Sequence, residues 1–403
     1  MNEIKIVFVS NYMNHHQLPI STQILLDESV DYYFIQTEKM EAERVKMGWA
    51  VDVTKLRFVK CYYDDPSGCK KLIMDADVVI FGGTDEEKYI QERLASGKIV
   101  IRYSERIYKD GQWKFISPKG LIKKYHDHIR YAKKPVYMLC SGAYVASDFS
   151  LIHAYKDKMF TWGYFPEVKE YSECFLMDKK EKESSEPVRF LWTGRMINWK
   201  HPEEAIAVAN ALKKAGKNFK LTMIGSGPIK ESLRNEILEK KLSKYVELID
   251  FVEPSKVREY MLQCDVYLFT SDYKEGWGAV LNESLNSGCA VIASSGIGAV
   301  PYLVKHGVNG MVYKTGKTKE LVKYALELCD DKGLRIRLGM AGYNTMRDKW
   351  NPKCAAERLI RLIRALLKDS VETFSDDGPL SKAEIIAPKK GYAYCRNNHE
   401  IEK

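Results

Sequence analysis

The chain predicts an α/β fold of two doubly wound parallel-sheet domains facing each other across a cleft. Three observations carry that prediction. Short apolar runs alternate with amphipathic segments along the chain, the pattern of parallel strands buried under crossover helices. The alternation comes as two series separated by residues 178–187 (DKKEKESSEP), a charged tract that reads as a solvated linker. The length of 403 residues, 45% hydrophobic and 29% charged, is enough for two cores at roughly 150 residues per domain. With 26 Gly and 13 Pro, close to average usage, collagen-like and broadly disordered classes are excluded.

The first series places strands at residues 4–10, 32–36, 78–82, 99–103 and 136–139, all rich in β-branched or aromatic residues. The second places them at 190–193, 221–224, 246–251, 266–270, 290–293 and 310–313. Helices fill the gaps. In 201–216, Ala205, Ile206, Val208, Ala209 and Leu212 form one apolar stripe, Pro202 occupies the first turn and Gly216 supplies the stop. After Pro352 a last helix, 354–367, sets Ala355, Leu359, Leu362, Ile363 and Leu366 opposite Arg358, Arg361 and Arg364. The expected organisation is an N-terminal domain 1–177, the linker 178–187, a second domain 188–350, a helix 351–368 and a mobile tail 369–403. There is no internal repeat.

The formal charge of +9 is a mild excess, short of that of a nucleic-acid-coating protein, and no nucleic-acid partner is expected. Nine scattered cysteines with no C-x-x-C spacing argue against a disulfide framework or a structural zinc site and fit a reducing compartment. No stretch approaches the roughly 20 apolar residues of a membrane span, and residues 1–9 do not read as a signal peptide. The reading is a cytoplasmic protein with a membrane-surface association. That second part rests on residues 98–134, where eleven basic residues face three acidic ones. Within this window Leu121, Ile122, Tyr125 and Ile129 line one helical face suited to anionic lipid, though a solvated face is the default for such a run.

Right-handed crossovers gather the loops after the strand C-termini along one edge of each sheet, where ligands bind. Three motifs fall on that edge of the second domain. Gly194-Arg195 ends its first strand, and Lys200 follows at the next helix start, bringing a guanidinium and an ammonium to one place. Gly225-Ser226-Gly227-Pro228 makes a tight strand-to-helix turn. Glu275-Gly276-Trp277-Gly278, followed by Ala279 and then Glu283, opens a further helix whose free N–H groups suit a diphosphate. Glu275 then stands where an attached sugar would lie and Glu283 where a ribose diol would reach. Taken alone, two glutamates at this spacing also describe a solvated helix face.

In order and spacing, the G-R-x4-K, G-x-G-P and E-x-[FW]-G-x4-E patterns over 188–367 resemble the donor domain of a family 4 glycosyltransferase of the GT-B fold. The resemblance implies that 188–350 binds a nucleotide sugar and that 1–177 is the acceptor side. It gives Arg195 and Lys200 the departing diphosphate, Glu275 the donor-sugar hydroxyls, Glu283 the ribose, and Phe251 and Val252 the base. Gly194, Gly225, Gly276, Trp277, Gly278 and Ala279 complete the implied donor site. His201 departs from the glycine often found after the lysine, and Gly276 from a frequent proline.

The N-terminal half departs further. In place of a glycine-rich turn after the first strand stands Asn11-Tyr12-Met13-Asn14-His15-His16-Gln17, and Glu43-Arg44 and Gly48-Trp49 follow. This resembles a subset of bacterial polysaccharide-assembly transferases. Asn14, His15 and His16 would project from a strand end toward an acceptor, unless they serve as a cap or surface feature. Ser104, Glu105 and Arg106 stand where many relatives carry a catalytic-site histidine, or form an ordinary turn.

The resemblance implies transfer from a nucleotide diphosphate sugar, with a UDP-sugar preferred, to a glycan or lipid-linked glycan, with retention and in cell-surface polysaccharide assembly. No cofactor is implied. With two cations and a helix start available, no metal is required, and Asp75-Ala76-Asp77 reads as a strand boundary. Rival readings are an epimerase or phosphorylase of the same fold, and a dinucleotide-binding oxidoreductase. The oxidoreductase lacks its G-x-G-x-x-G after residues 4–10.

Overall fold

The computed structural model describes residues 3–46, 48–181, 186–371, 374 and 376–397. The chain divides into two compact units, residues 1–167 with 350–386 and residues 168–349 with 387–403.

The first unit is built on seven parallel strands: β1 Ile4–Ser10, β2 Val30–Gln36, β3 Val59–Cys61, β4 Val78–Gly82, β5 Val100–Ser104, β6 Val136–Ser141 and β7 Met159–Trp162. Their order across the sheet is β3-β2-β1-β4-β5-β6-β7. The central strands are buried on both faces, which is why they read as unbroken apolar runs and not as alternating ones. The sequence missed both edges, β3 and β7. Val59-Lys60-Cys61 is three residues long and only half-buried, too short to show any period.

The second unit has six parallel strands: β8 Val188–Thr193, β9 Phe219–Ile224, β10 Val246–Ile249, β11 Val266–Phe269, β12 Ala290–Ser294 and β13 Met311–Tyr313. Their order is β10-β9-β8-β11-β12-β13. The expected apolar stripe of the following helix, Pro202–Lys214, is buried in full, packed with Phe190, Trp192 and Leu221 from the sheet. Asp77 takes the strand-boundary role, its carboxylate accepting the Lys5 N–H at 2.8 Å.

The chain organisation differs from the expected one in three places. The charged tract is not all linker: the helix Glu173–Lys180 enters it, and Lys180 is buried with its ammonium on the carbonyls of Met261 and Cys264. The apolar stem of a lysine packs where its head finds acceptors, which composition does not reveal. Residues 182–185 of the tract lie outside the described residues. The helix Pro352–Leu366 belongs to the first unit, where it packs on the helix Leu18–Leu25, and Arg364 reaches Asp27 at 3.2 Å.

The third difference is the tail. Residues 380–383 pair antiparallel with β7: Leu380 N–H donates to the Thr161 carbonyl at 2.8 Å, Thr161 N–H to the Ser381 carbonyl at 2.8 Å, and Ala383 N–H to the Met159 carbonyl at 3.0 Å. Leu380 is fully buried, and Ala383 and Ile386 nearly so. An open sheet edge is a row of unmet donors and acceptors, and this segment meets them. A short helix, Gly391–Asn397, follows, with Cys395 buried in the second unit and Arg396 hydrogen-bonded to Tyr324. The last described residue of this stretch is Asn397, so the expected tail beyond it lies outside the described residues.

Two changes test the role of the tail. Leu380→Ala should destabilise the first unit by about 2–5 kcal/mol, as cavity-forming changes do, read by urea denaturation. Ending the chain after Ser370 should expose the β7 edge and produce soluble aggregates on size-exclusion chromatography. A truncated protein that stays monodisperse with an unchanged melting curve would contradict this role.

Candidate functional site

In the second unit the sheet order reverses between β8 and β11, so the loops leaving these neighbours turn to opposite faces and open a crevice at their C-terminal ends. A chain of hydrogen bonds fixes the two loops together. The buried Trp192 indole donates to Thr270 Oγ1 at 2.9 Å, and the Thr270 hydroxyl donates to the Lys200 carbonyl at 2.6 Å. The Asp272 N–H reaches the Trp199 carbonyl at 2.9 Å. At the head of this arrangement Lys200 Nζ donates to Glu275 Oε2 at 2.6 Å, and Ser271 Oγ donates to the same oxygen at 2.9 Å. Both members of the pair are largely shielded, with side-chain exposures of 15% and 14%.

The glycine turns pack against this core. Gly225 has φ +142°, and a Cβ there would stand 2.0 Å from the Gly194 carbonyl oxygen, so the β8 and β9 loops meet backbone to backbone. Gly194 N–H donates to the Ile224 carbonyl at 3.0 Å. Gly278, at φ +91°, lies over the Phe269 ring, where a Cβ would come within 2.6 Å. Gly298, after β12, donates to the Glu275 carbonyl at 3.2 Å, and Ala299 to the Trp277 carbonyl at 3.2 Å. These two were missed in the sequence, although Gly296-Ile297-Gly298 shows the same spacing as the loop it supports.

Among the described residues, the N–H groups of Gly276, Gly278 and Ala279 donate to no protein acceptor. Glu283 is half-buried in the following helix, Val280–Asn286, and its carboxylate likewise has no hydrogen-bond donor there. Burial raises its pKa, with the buried Arg258 guanidinium opposing. Arg195 is exposed and its guanidinium has no ion-pair partner among the described residues. The structure therefore brings Lys200 to Glu275, and leaves Arg195 free at the end of β8. Phe251 is exposed and Val252 half-buried in the loop after β10 on the same sheet edge. Trp277 is a correction: its side chain is fully buried, with the indole on Asn282 Oδ1 at 2.9 Å, so any part in binding falls to its backbone.

The first unit reverses order between β1 and β4. After β1, Asn14 Oδ1 accepts the N–H groups of His16 at 2.9 Å and Gln17 at 3.1 Å, which caps the turn into the helix Leu18–Leu25. His15 and His16 lie against each other with ring centroids 3.8 Å apart and planes tilted by 48°; Trp49 stands edge-on to both, and Tyr164 lies nearly parallel to His16 at 5.9 Å. Tyr164 donates to Glu105 Oε1 at 2.6 Å, while Glu105 also pairs with Lys109. Ser104 donates to the Glu105 carbonyl at 2.7 Å. Arg106 corrects the reading of that turn: it is buried, forked onto Asp148 at 3.1 and 3.2 Å, and its role there is structural. Tyr164 was missed because its contacts join distant parts of the chain. The Glu43 side chain lies outside the described residues, while Arg44 lies over the rings of Tyr12 and Trp49.

Burial and the neighbouring His15 hold the pKa of His16 down to about 3, and burial also lowers that of His15. Both imidazoles are therefore neutral near pH 7. His201 is the reverse case. It occupies the left-handed conformation at φ +49°, which explains why a glycine suits this position. Hydrogen bonds to Asp272 and then Glu203 raise its pKa to about 10, so it is a cation clamped between two carboxylates.

The two histidines should give stability profiles of opposite sign. A raised pKa stabilises fully below the unfolded value near 6.5 and loses that contribution as pH climbs through about 10. A lowered pKa stabilises above 6.5 and is lost as pH falls toward about 3. Thus His201→Gly should melt below wild type at pH 6 and converge with it or exceed it near pH 10, because glycine removes about 1 kcal/mol of backbone strain. His16→Phe should flatten the acid limb. Parallel melting-versus-pH curves for the variants and wild type would refute both assignments.

Residues 176–345 match the family described as Glycosyl transferases group 1. The amylovoran biosynthesis glycosyltransferase AmsK of Erwinia amylovora is 25% identical over 186 residues, 45% of this chain and 46% of that protein. The chain thus spans about half the length of that relative. The capsular polysaccharide biosynthesis glycosyltransferase CapM of Staphylococcus aureus is 24% identical over 365 residues, covering 86% of this chain and 93% of CapM. Among solved structures, Anabaena HepE in complex with UDP superposes with a TM-score of 0.67 at 12% identity, over 90% of this chain and 99% of that one. The pneumococcal O-GlcNAc transferase GtfA in complex with UDP and GlcNAc gives 0.61 at 12% identity, over 91% and 100%. Residues 176–345 thus form a domain that matches the glycosyltransferase group 1 family, and the two parallel-sheet units have the GT-B fold of these solved neighbours.

Proposed function

We propose that the protein is a retaining hexosyltransferase of family 4 that moves a sugar from a UDP-sugar to a glycan or lipid-linked glycan acceptor. It would do so in cell-surface polysaccharide assembly, at the cytoplasmic face of the membrane and without a metal. The observation that carries the reading is the arrangement at the β8/β11 reversal. A shielded Lys200–Glu275 pair lies in the loops at that edge, where, among the described residues, the N–H groups of Gly276, Gly278 and Ala279 meet no protein acceptor, the Glu283 carboxylate accepts no hydrogen bond and the Arg195 guanidinium has no ion-pair partner.

The charges can be followed through the reaction. Breaking the bond from the anomeric carbon to the diphosphate builds negative charge on the departing group, and fixed donors lower that barrier. Lys200 is already balanced by Glu275, so net positive charge must come from Arg195, with the N–H groups of Gly276, Gly278 and Ala279 completing the cradle. Glu275 would accept a donor-sugar hydroxyl while holding Lys200 in place. Glu283 would accept the ribose hydroxyls, which supplies the donor it lacks. Phe251 and Val252 would lie against the base. The acceptor hydroxyl attacks the anomeric carbon on the face the diphosphate leaves, and its proton passes to the departing diphosphate. On the acceptor side, neutral His15 and His16 with Asn14 and Ser104 would offer uncharged hydrogen-bonding groups, and the Glu105 carboxylate, balanced by Lys109, would offer an acceptor for a sugar hydroxyl.

HepE and GtfA were solved with UDP, which favours uridine as the base to test first. Arg195→Ala, Lys200→Ala and Glu275→Gln should each lower kcat about 10²- to 10³-fold, with Arg195→Ala leaving the melting temperature unchanged because that side chain supports nothing else. Glu283→Ala should weaken UDP binding about tenfold or more, read by calorimetry or by loss of the UDP-induced melting shift. Excess chelator should leave the wild-type rate unaltered. Wild-type turnover in all three of the first variants would end the assignment.

A further inference from the structure

We propose that the edge of the first unit formed by the 3-10 turn Gln112–Ile116 and the helix Pro118–Asp127 is a docking surface for an anionic lipid bilayer. The inference deepens the membrane-face part of the function proposed above and names the residues that would enter the bilayer.

Exposed apolar surface is concentrated in this segment. Trp113 is 69% exposed, Ile116 65%, Ile122 61%, Tyr125 52% and Leu121 37%. Five of the sixteen exposed large hydrophobic residues found among the described residues thus lie within thirteen positions. Scattered exposed apolar side chains are ordinary, but a contiguous cluster is not. Nor is the segment loose. Phe115 and Ile129 pack against the core of the unit at its two ends, and Ser117 caps the helix start through the Gly120 N–H. The outward display of Trp113 and Ile116 is therefore held by inward anchors. The face differs from the one expected from periodicity: Ile129 turns to the core, and Trp113 and Ile116, before the helix, take its place.

Charge selects the occupant. Lys119 is exposed in the helix itself and Arg130 and Lys133 are exposed in the residues just after it, and no carboxylate pairs with them among the described residues. Lys114 and Lys123 are partly offset by Asp110 at 2.7 Å and Asp127 at 3.7 Å. Lys124 is half-buried, with desolvation lowering its pKa, and contributes less at the surface. A tryptophan and a tyrosine with aliphatic residues in one segment that also carries exposed cations match the headgroup layer of a bilayer rich in acidic lipid. A second copy of this chain would present the same cations and be repelled.

The full-length protein should sediment with vesicles of mixed phosphatidylglycerol and phosphatidylcholine at low salt, and not with pure phosphatidylcholine or at high salt. Changing Trp113, Ile116, Ile122 and Tyr125 together to Ser should lower partitioning at least ~10²-fold, with melting temperature and UDP response unchanged. Lys119→Glu with Lys133→Glu should lower it about tenfold and weaken its salt dependence. The Trp113 share of the fluorescence, taken against Trp113→Phe, should shift to the blue on vesicle binding. Failure to sediment, or equal sedimentation of the four-residue variant, would overturn the proposal. So would a concentration-dependent dimer abolished by that variant, which would give the patch to a second copy. Turnover on a soluble acceptor, assayed without vesicles, reads the transferase function separately.

Discussion

The second unit depends on a buried donor that has to be satisfied. The indole of Trp192 lies inside the sheet core, and an unpaired N–H there would cost on the order of 1–3 kcal/mol. It donates to the Thr270 hydroxyl, whose own proton then has one strong acceptor in reach, the Lys200 carbonyl. A core residue of β8 thereby fixes the backbone of the loop that follows it, and does so through the end of its neighbour β11. With the Lys200 backbone held, its ammonium meets Glu275, whose oxygen also takes the Ser271 hydroxyl. The position of the Lys200 ammonium is thus set by packing requirements and not by the charge pair alone.

Both units place their distinctive residues at the same topological point, and the electrostatics there diverge. At the β8/β11 reversal, charged groups and unused N–H donors converge. At the β1/β4 reversal of the first unit the residues are rings: two imidazoles kept neutral by burial, with Trp49 and Tyr164 around them. One edge carries charged side chains and unused donors, and the other carries neutral rings. Parallel sheets deliver loops to these edges whatever the residues are, so the chemistry resides in the loop composition.

Much of this was legible in the sequence, for identifiable reasons. Strands buried on both faces announce themselves as apolar runs, and β1 and β4 were bounded correctly from 4–10 and 78–82. Lys200, Glu275 and Glu283 were legible because glycine turns and a helix start place them locally. What escaped depends on partners remote in sequence. The tail looked unstructured because its order comes from β7, a strand itself too short to recognise. Arg106 looked like an acceptor-side residue because Asp148, its buried partner, lies in a helix remote in sequence. Trp277 looked like a ligand contact since nothing in its own segment shows that the ring turns inward.

His201 shows how a departure from a family pattern is accommodated physically. The residue after Lys200 must adopt a left-handed backbone, a conformation glycine takes freely and histidine does not. Here the side chain offsets the strain by bridging Glu203 in its own helix and Asp272 in the loop after β11. Glycine could not form that bridge. The substitution therefore exchanges backbone ease for a second tie between the two loops that the Trp192–Thr270 chain already joins. Because the tie is a charged imidazolium, it makes the loop carrying Glu275 firmest where histidine is protonated, while the neutral clamp below it holds at any pH. Two independent constraints on one pair of loops keep Lys200 and Glu275 in register, even where the simpler turn has been lost.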